Sequence, residues 1–174
     1  MLIKYKNLTV RNAATSDAKL LCGWWNDGKV MAHAGFPNGL GAAPEKIAQS
    51  LLKDTDETYR RLIILLDGAP IGEMSYEIRG SAAEIGIKIC DFSRQNKGLG
   101  RIFLSMLISA LFGRGVSKIV LDTNLKNLRA QHVYESLGFS KAGTNLNAWK
   151  DRLGVFQSSV DYELTRENFI NFAL

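Results

Sequence analysis

The sequence is poor in the residues that build special-purpose scaffolds. Its 174 residues include two cysteines, two histidines and three prolines. Cys22 and Cys90 stand apart in apolar stretches, with no Cys or His at metal-ligand spacing. Neither a disulfide framework nor a metal site is expected. Long hydrophobic runs are missing too. Met1-Leu2-Ile3-Lys4-Tyr5-Lys6 carries charges where a secretory leader needs an apolar run. No stretch approaches membrane-spanning length. A cytoplasmic, reducing location is the expectation. Nor are Lys and Arg packed into one block. The formal net charge of +5 suits a phosphate-bearing ligand. Dispersed cations read as a solvated surface, so neither nucleic acid nor membrane is an expected partner.

What is present is the composition of a globular enzyme or binding module, 46% apolar and 22% charged. No repeat, low-complexity tract or linker divides it. One domain over residues 1–174 follows, as monomer or homodimer. A chain of this size buries roughly 70% of its unfolded surface without disulfide or metal.

Alternation from Leu2 to Arg11 predicts a first strand. Thr15-Ser16-Asp17 offers an N-cap for a helix ending near Asn26-Asp27-Gly28. A loop rich in Gly and Pro then leads to Pro44-Glu45, which opens a second helix to about Lys53. Arg61 to Leu66, Ile71 to Ile78 and Ala83 to Cys90 read as strands, with a hairpin turn at Asp67-Gly68. Gly98 to Phe112 is a long apolar helix stopped by Gly113 and Gly115. Lys118 to Thr123 reads as a strand and Asn127 to Ser136 as a helix. Phe139 to Leu146 and Val155 to Leu164 read as a final strand pair. A short helix is expected over Arg166 to Phe172. The fold class is α/β, a mixed sheet of order β-α-α-β-β-β-α-β-α-β-β.

The strongest chemical signal is Gln95-Asn96-Lys97-Gly98-Leu99-Gly100, between a strand and the long helix. Peptide N–H groups at a helix start point outward unpaired, and the macrodipole adds positive charge there. Glycines let an anion come close, so this is a phosphate-site pattern, with Lys97 and Arg101 adding charge. A P-loop needs Lys-Ser or Lys-Thr after its last glycine, but Arg101-Ile102 follows Gly100. A dinucleotide fingerprint needs a small residue where Phe103 stands. Asp122 falls where a ribose-binding acid belongs, but no further crossover units follow to complete that cleft.

A third pattern, Gln/Arg-x-x-Gly-x-Gly/Ala, matches in full. It is carried with Asn127, Ala130, Tyr134 and Gly138-Phe139 on the next helix, and with Ala83-Glu84-Ile85-Gly86-Ile87-Lys88-Ile89 before the loop. This ordered set resembles the GNAT acetyltransferases, specifically from about Ile71 to Phe139. Within them it looks most like the RimJ/RimL branch, which also holds spermidine and antibiotic acetyltransferases. Trp24-Trp25-Asn26-Asp27 and Asn147-Ala148-Trp149-Lys150-Asp151 resemble that branch's first helix end and a late loop.

The resemblance implies acetyl-CoA as acetyl donor and direct transfer to an amine. It assigns Gln95 to Arg101 and Asn127 to the coenzyme. It implies that peptide N–H groups around Ile89 and Cys90 polarise the acyl carbonyl, where the central strand splays. Tyr134 is the expected proton donor to the leaving thiolate. An alkyl amine has pKa roughly 10.4 and must lose a proton, which a carboxylate can accept. Glu84 is the first candidate for that base, with Glu73 and Asp91 behind it. A backbone-and-water relay, or Glu84 as a simple salt-bridge residue, are the alternatives. Cys90 lacks a partner that would form a thiolate, so it reads as a core or pantetheine-lining thiol. Asn127 is a helix N-cap by type as well. His33 and His132 read as surface or structural residues.

On the acceptor side, Trp24, Trp25 and Phe36 are candidate pocket walls, at least one of them a core residue instead. Asp27, Glu73, Glu77, Glu84 and Asp151 are the acids that a polyamine or aminoglycoside acceptor would need together. A protein N-terminus would need an open groove. The other class of reading is a coenzyme A-binding module of this fold without catalysis.

Overall fold

The structure is a computed structural model that describes residues 1–174. Strands β1 (Leu2–Tyr5) and β2 (Leu8–Asn12) open the chain. Helices α1 (Ala18–Asn26), α2 (Gly28–Met31) and α3 (Pro44–Leu51) follow. Three long strands come next: β3 (Tyr59–Leu66), β4 (Ala69–Arg79) and β5 (Ala82–Ile89). Then come helix α4 (Leu99–Gly113), strand β6 (Lys118–Asn124) and helix α5 (Leu128–Ser136). Strands β7 (Ser140–Lys150) and β8 (Phe156–Thr165) finish the sheet.

All eight strands form one sheet in the order β1-β2-β3-β4-β5-β6-β8-β7. Every pairing is antiparallel except β5 with β6. That parallel pairing lasts only from Ala82↔Lys118 to Glu84↔Val120. β4 and β5 stay paired to Gly72↔Ile89, so β5 parts from β6 and the sheet splits down its middle.

Both faces of the sheet are covered by packing. α4 lays Phe103, Leu104, Leu107, Ile108 and Leu111 against Leu62, Ile64, Met74, Ile85 and Ile119. Burying such side chains stabilises by about 1.5–3 kcal/mol each. On the opposite face, α1 and α3 bring Leu21, Ile47 and Leu51 onto Ile63. A buried ion pair, Arg61 to Asp54 at 2.6 Å, ties β3 to the segment after α3.

Two expectations are corrected and one element is added. The first strand is a hairpin, turning at Lys6 with φ 52. Apolar positions change phase there, from Ile3 and Tyr5 to Leu8 and Val10, which is the mark of the turn. The four-residue α2 falls between the expected end of the first helix and the loop expected from Ala34 to Ala43, a stretch given no element in the sequence. Residues 166–172 form no helix. Their amides are drawn elsewhere: Ile170 N–H bonds Leu137 O at 3.0 Å and Phe172 N–H bonds Ser105 Oγ at 3.0 Å.

Candidate active site

The split is the floor of a cleft of about 930 Å³. Its back wall is β5. Cys90 N–H donates to Ile71 O at 2.8 Å. Such pairs alternate along an antiparallel ladder. Lys88, Gly86 and Glu84 therefore also turn their peptide groups to β4. Ile87 and Ile89 turn theirs toward the place β6 has vacated. The Ile89 carbonyl is taken by Gln95 Nε2 at 2.8 Å. Free N–H donors at Ile87 and Ile89 remain, facing the split. Of the two donors expected there, Cys90 is excluded because its N–H is already spent.

Cys90 is excluded as a nucleophile as well. It is buried, it is not a cleft-wall residue, and burial pushes its thiol up to about 12. It is a core thiol.

At the mouth of the split lies the glycine loop. Asn96 and Gly98 take left-handed φ of 59 and 74. Gly98 caps α4 with no side-chain acceptor, so the first-turn N–H groups stay open. Beyond it, a Cβ on Gly100 would touch Ile89 Cδ1 at 3.9 Å, so helix and strand meet closely here. Gln95, Asn96, Gly98, Leu99, Gly100 and Arg101 all line the cleft, whereas Lys97 does not. Gln95 braces the loop, since its Oε1 accepts from Arg129 at 2.8 Å. Arg129 also approaches Asn96 Oδ1 at 3.4 Å, which sets a guanidinium beside the loop. Sequence reasoning missed Arg129. It sits inside the motif helix, but only the packing of α5 on the loop shows its use.

α5 forms the other wall. Asn127 caps it, accepting from Ala130 N–H at 3.3 Å, and also faces the cleft. Tyr134 packs its ring between Phe139 and Tyr162, at centroid distances of 5.9 and 5.7 Å. Its hydroxyl has no hydrogen-bond partner in the protein and opens on the cleft. Burial first, then the charge of Asp122, pushes this phenol up to about 12.

The acids divide sharply. Glu73 is buried and fully engaged, by Trp25 Nε1 at 2.9 Å and Lys88 Nζ at 3.0 Å. Asp91 is not a cleft-wall residue; it accepts from Ser93 and is held low by it. Glu84 lines the cleft, half-exposed, with Arg79 at 3.9 Å. Glu77 stands directly opposite on β4, paired to Arg79 at 2.8 Å. Asp122 lines the cleft on β6, exposed to it and with no ion-pair partner. Desolvation raises its carboxyl above the usual range, and the cross-strand Asp161 raises it further. Weighed in the sequence only as a ribose ligand, Asp122 carried no signal that it would face this cleft.

The far wall comes from the end of α1 and the end of β7, joined behind by the loops at Gly35 and Arg152. Trp25 and Trp149 line it, while Trp24 packs into the α1–α3 core. Gly35 abuts the Trp149 ring, where a Cβ would come within 2.4 Å. Arg152 N–H bonds Gly35 O at 3.1 Å, and its guanidinium lies over Phe36 at 5.0 Å. Phe36 thus works behind the wall. Asp27 caps α2 and Asp151 caps the β7–β8 turn, so neither joins the acids. His33 and His132 both face the cleft.

A split parallel pair, a helix start with open N–H groups at the split and an unpaired phenol across from it suit a transferase with a phosphate-tailed donor. Comparison with known proteins gives the family. The model of the acetyltransferase (GNAT) domain matches residues 7–140. Aminoglycoside N(6')-acetyltransferase type 1 of Klebsiella pneumoniae is 28% identical over 177 residues, covering 92% of this chain and 87% of that protein. The [ribosomal protein bS18]-alanine N-acetyltransferase of Escherichia coli is 44% identical over 57 residues, 33% of this chain and 37% of its own. Among solved structures, spermidine N-acetyltransferase from Vibrio cholerae with CoA and spermine superposes at TM-score 0.83, with 21% identity over 95% of this chain and 99% of that one. RimL, a ribosomal L7/L12 alpha-N-protein acetyltransferase in complex with coenzyme A, does so at 0.84, with 19% identity over 95% and 98%. The chain belongs to the GNAT acetyltransferase family. It is an N-acetyltransferase whose acetyl donor is acetyl-CoA.

Proposed function

We propose that this enzyme acetylates a small amine that carries more than one positive charge, of the polyamine or aminoglycoside kind. The observation that carries the reading is the acceptor end of the cleft. Glu77, Glu84 and Asp122 line it, and its wall is closed by Trp149 seated on Gly35. An acid-lined recess attracts a polycation. A folded protein's N-terminus needs an open groove. The long cover of the aminoglycoside enzyme agrees with this reading.

Gln95, Asn96 and Gly98 to Arg101, with Asn127 and Arg129, would hold the coenzyme's phosphates. Bound acetyl-CoA supplies an activated thioester. Asp122 accepts the proton of the incoming ammonium, because its raised carboxyl is a better base than an ordinary aspartate. Glu84 and Glu77 hold a second cationic group. The Ile89 N–H meets the negative charge that develops on the carbonyl oxygen. Tyr134 donates a hydrogen bond to the departing sulfur. A phenol held at about 12 yields its proton to a thiolate of pKa roughly 8.5 only uphill, by about 5 kcal/mol. Its contribution is therefore the hydrogen bond, with the phenol keeping its proton; the amine's second proton, shed as the C–N bond forms and the C–S bond breaks, goes to the departing thiolate. Two unpaired thiols and no helix long and apolar enough to cross a membrane fit work in the cytoplasm on a free small molecule.

The test is thiol release from acetyl-CoA with an amine panel. A polyamine or aminoglycoside should exceed an alanine-initiated peptide in kcat/KM, with the advantage shrinking as salt rises. Equal or better use of the peptide overturns the acceptor assignment. Binding of coenzyme A without turnover of any amine supports the non-catalytic module instead.

A further inference from the structure

Arg101, Ser105, Ser109 and Phe112 form one stripe along α4, since residues three or four apart share a helix face. The C-terminal segment runs back along this stripe. Arg166 donates to the Phe112 carbonyl, and the Phe169 ring meets Phe112 at 5.8 Å. Asn171 donates to Ser109 Oγ at 3.2 Å, and Phe172 N–H to the fully buried Ser105 Oγ at 3.0 Å. Its other flank is fixed as well. Asn168 O sits so close to Gly138 that a Cβ there would come within 1.9 Å. Phe172 is therefore held in place by its neighbours before any ligand arrives.

Its ring lies under the Arg101 guanidinium, 4.7 Å from centroid to Cζ. That guanidinium bends back over the glycine loop. A Cβ on Gly98 would stand 3.6 Å from its Nε. Arg101 also lines the cleft. An arginine free in solvent gives up rotamer freedom when an anion fixes it. One already stacked on a ring has given up much of that freedom beforehand.

We infer that Phe172 is a positioning residue of the donor site, holding Arg101 over Gln95–Gly100 to meet a phosphate of coenzyme A. The inference rests on the reading of that loop as the phosphate site. Calorimetry of coenzyme A binding to the full chain tests it, with thermal unfolding of each variant in parallel. Phe172→Met keeps apolar bulk without the ring. It should raise Kd about two- to five-fold, the worth of an exposed cation–π contact. Phe172→Tyr should bind as the parent does. In an Arg101→Gln background, Phe172→Met should add nothing. KM for acetyl-CoA should rise while kcat holds. Parent-like affinity in Phe172→Met, or the same further loss in the Arg101→Gln background, overturns the inference alone. Parent-like affinity in Arg101→Gln overturns the loop assignment along with it.

Discussion

Replacing Tyr134 by Phe separates chemistry from structure unusually cleanly in this molecule. The ring's contacts with Phe139 and Tyr162 survive the change. The hydroxyl that is lost bonds nothing in the protein. Removing an unpaired, nearly buried polar group is close to neutral or stabilising, so Tm should not fall. Coenzyme A affinity should stay within about two-fold, a margin of roughly 0.4 kcal/mol. Turnover should change greatly. A hydrogen bond to a charged partner contributes about 1.5–3 kcal/mol. At about 1.4 kcal/mol per decade, that is a loss of roughly 10- to 150-fold in kcat. Stopped-flow thiol release under saturating donor and amine measures it. The parent's pH–rate profile adds an independent check. A phenol held at about 12 stays protonated through the working range, so it contributes no falling limb at pH 9 to 10. Tyr134→Phe with at least half the parent's kcat refutes the role. So does a falling limb near pH 9 that the substitution removes.

Asp122→Asn should lower kcat/KM by about 10²- to 10⁴-fold, the usual worth of a positioned base. Asp161→Asn removes the like charge that helps raise Asp122, so the acid limb of the pH profile should move to lower pH, and movement upward contradicts the assignment. Glu84→Gln separates the two acids: KM for a polycationic amine should rise while the limb stays in place. Cys90→Ala should keep kcat within about three-fold, because a thiol held near 12 is not a nucleophile at neutral pH. Gly98→Ala, at φ 74, should lose about 1–2 kcal/mol of stability in denaturant melts and weaken coenzyme A binding together.

The parts of this enzyme legible in its sequence are those that local rules determine. Gln95 to Gly100 announces itself because an anion site at a helix start needs glycine where φ is positive, and Gly98 supplies it. The Asp67-Gly68 hairpin is read for the same reason, at φ 52 and 79. Asn127 and Tyr134 are carried by motif spacing on one helix. What escaped depends on pairings between distant segments. Asp122 is one acid among many until β8 sets Asp161 opposite it. Glu73 stays a candidate behind Glu84 until Trp25 and Lys88 consume it. The Cys90 N–H is lost to Ile71 through a strand register that no local pattern states. The C-terminal segment has a helix-like composition, yet Ser105 and Leu137 take its amides.

The most direct measurement of the central claim is the pH dependence of acetyl transfer to a polycationic amine, followed by mass of the product, in the parent and in Asp122→Asn. One acetyl group per molecule of free coenzyme A is expected. The parent should show an acid limb above the ordinary aspartate range, lost along with most of the rate in the variant. An unchanged rate and limb in Asp122→Asn would contradict the assignment of Asp122 as the base.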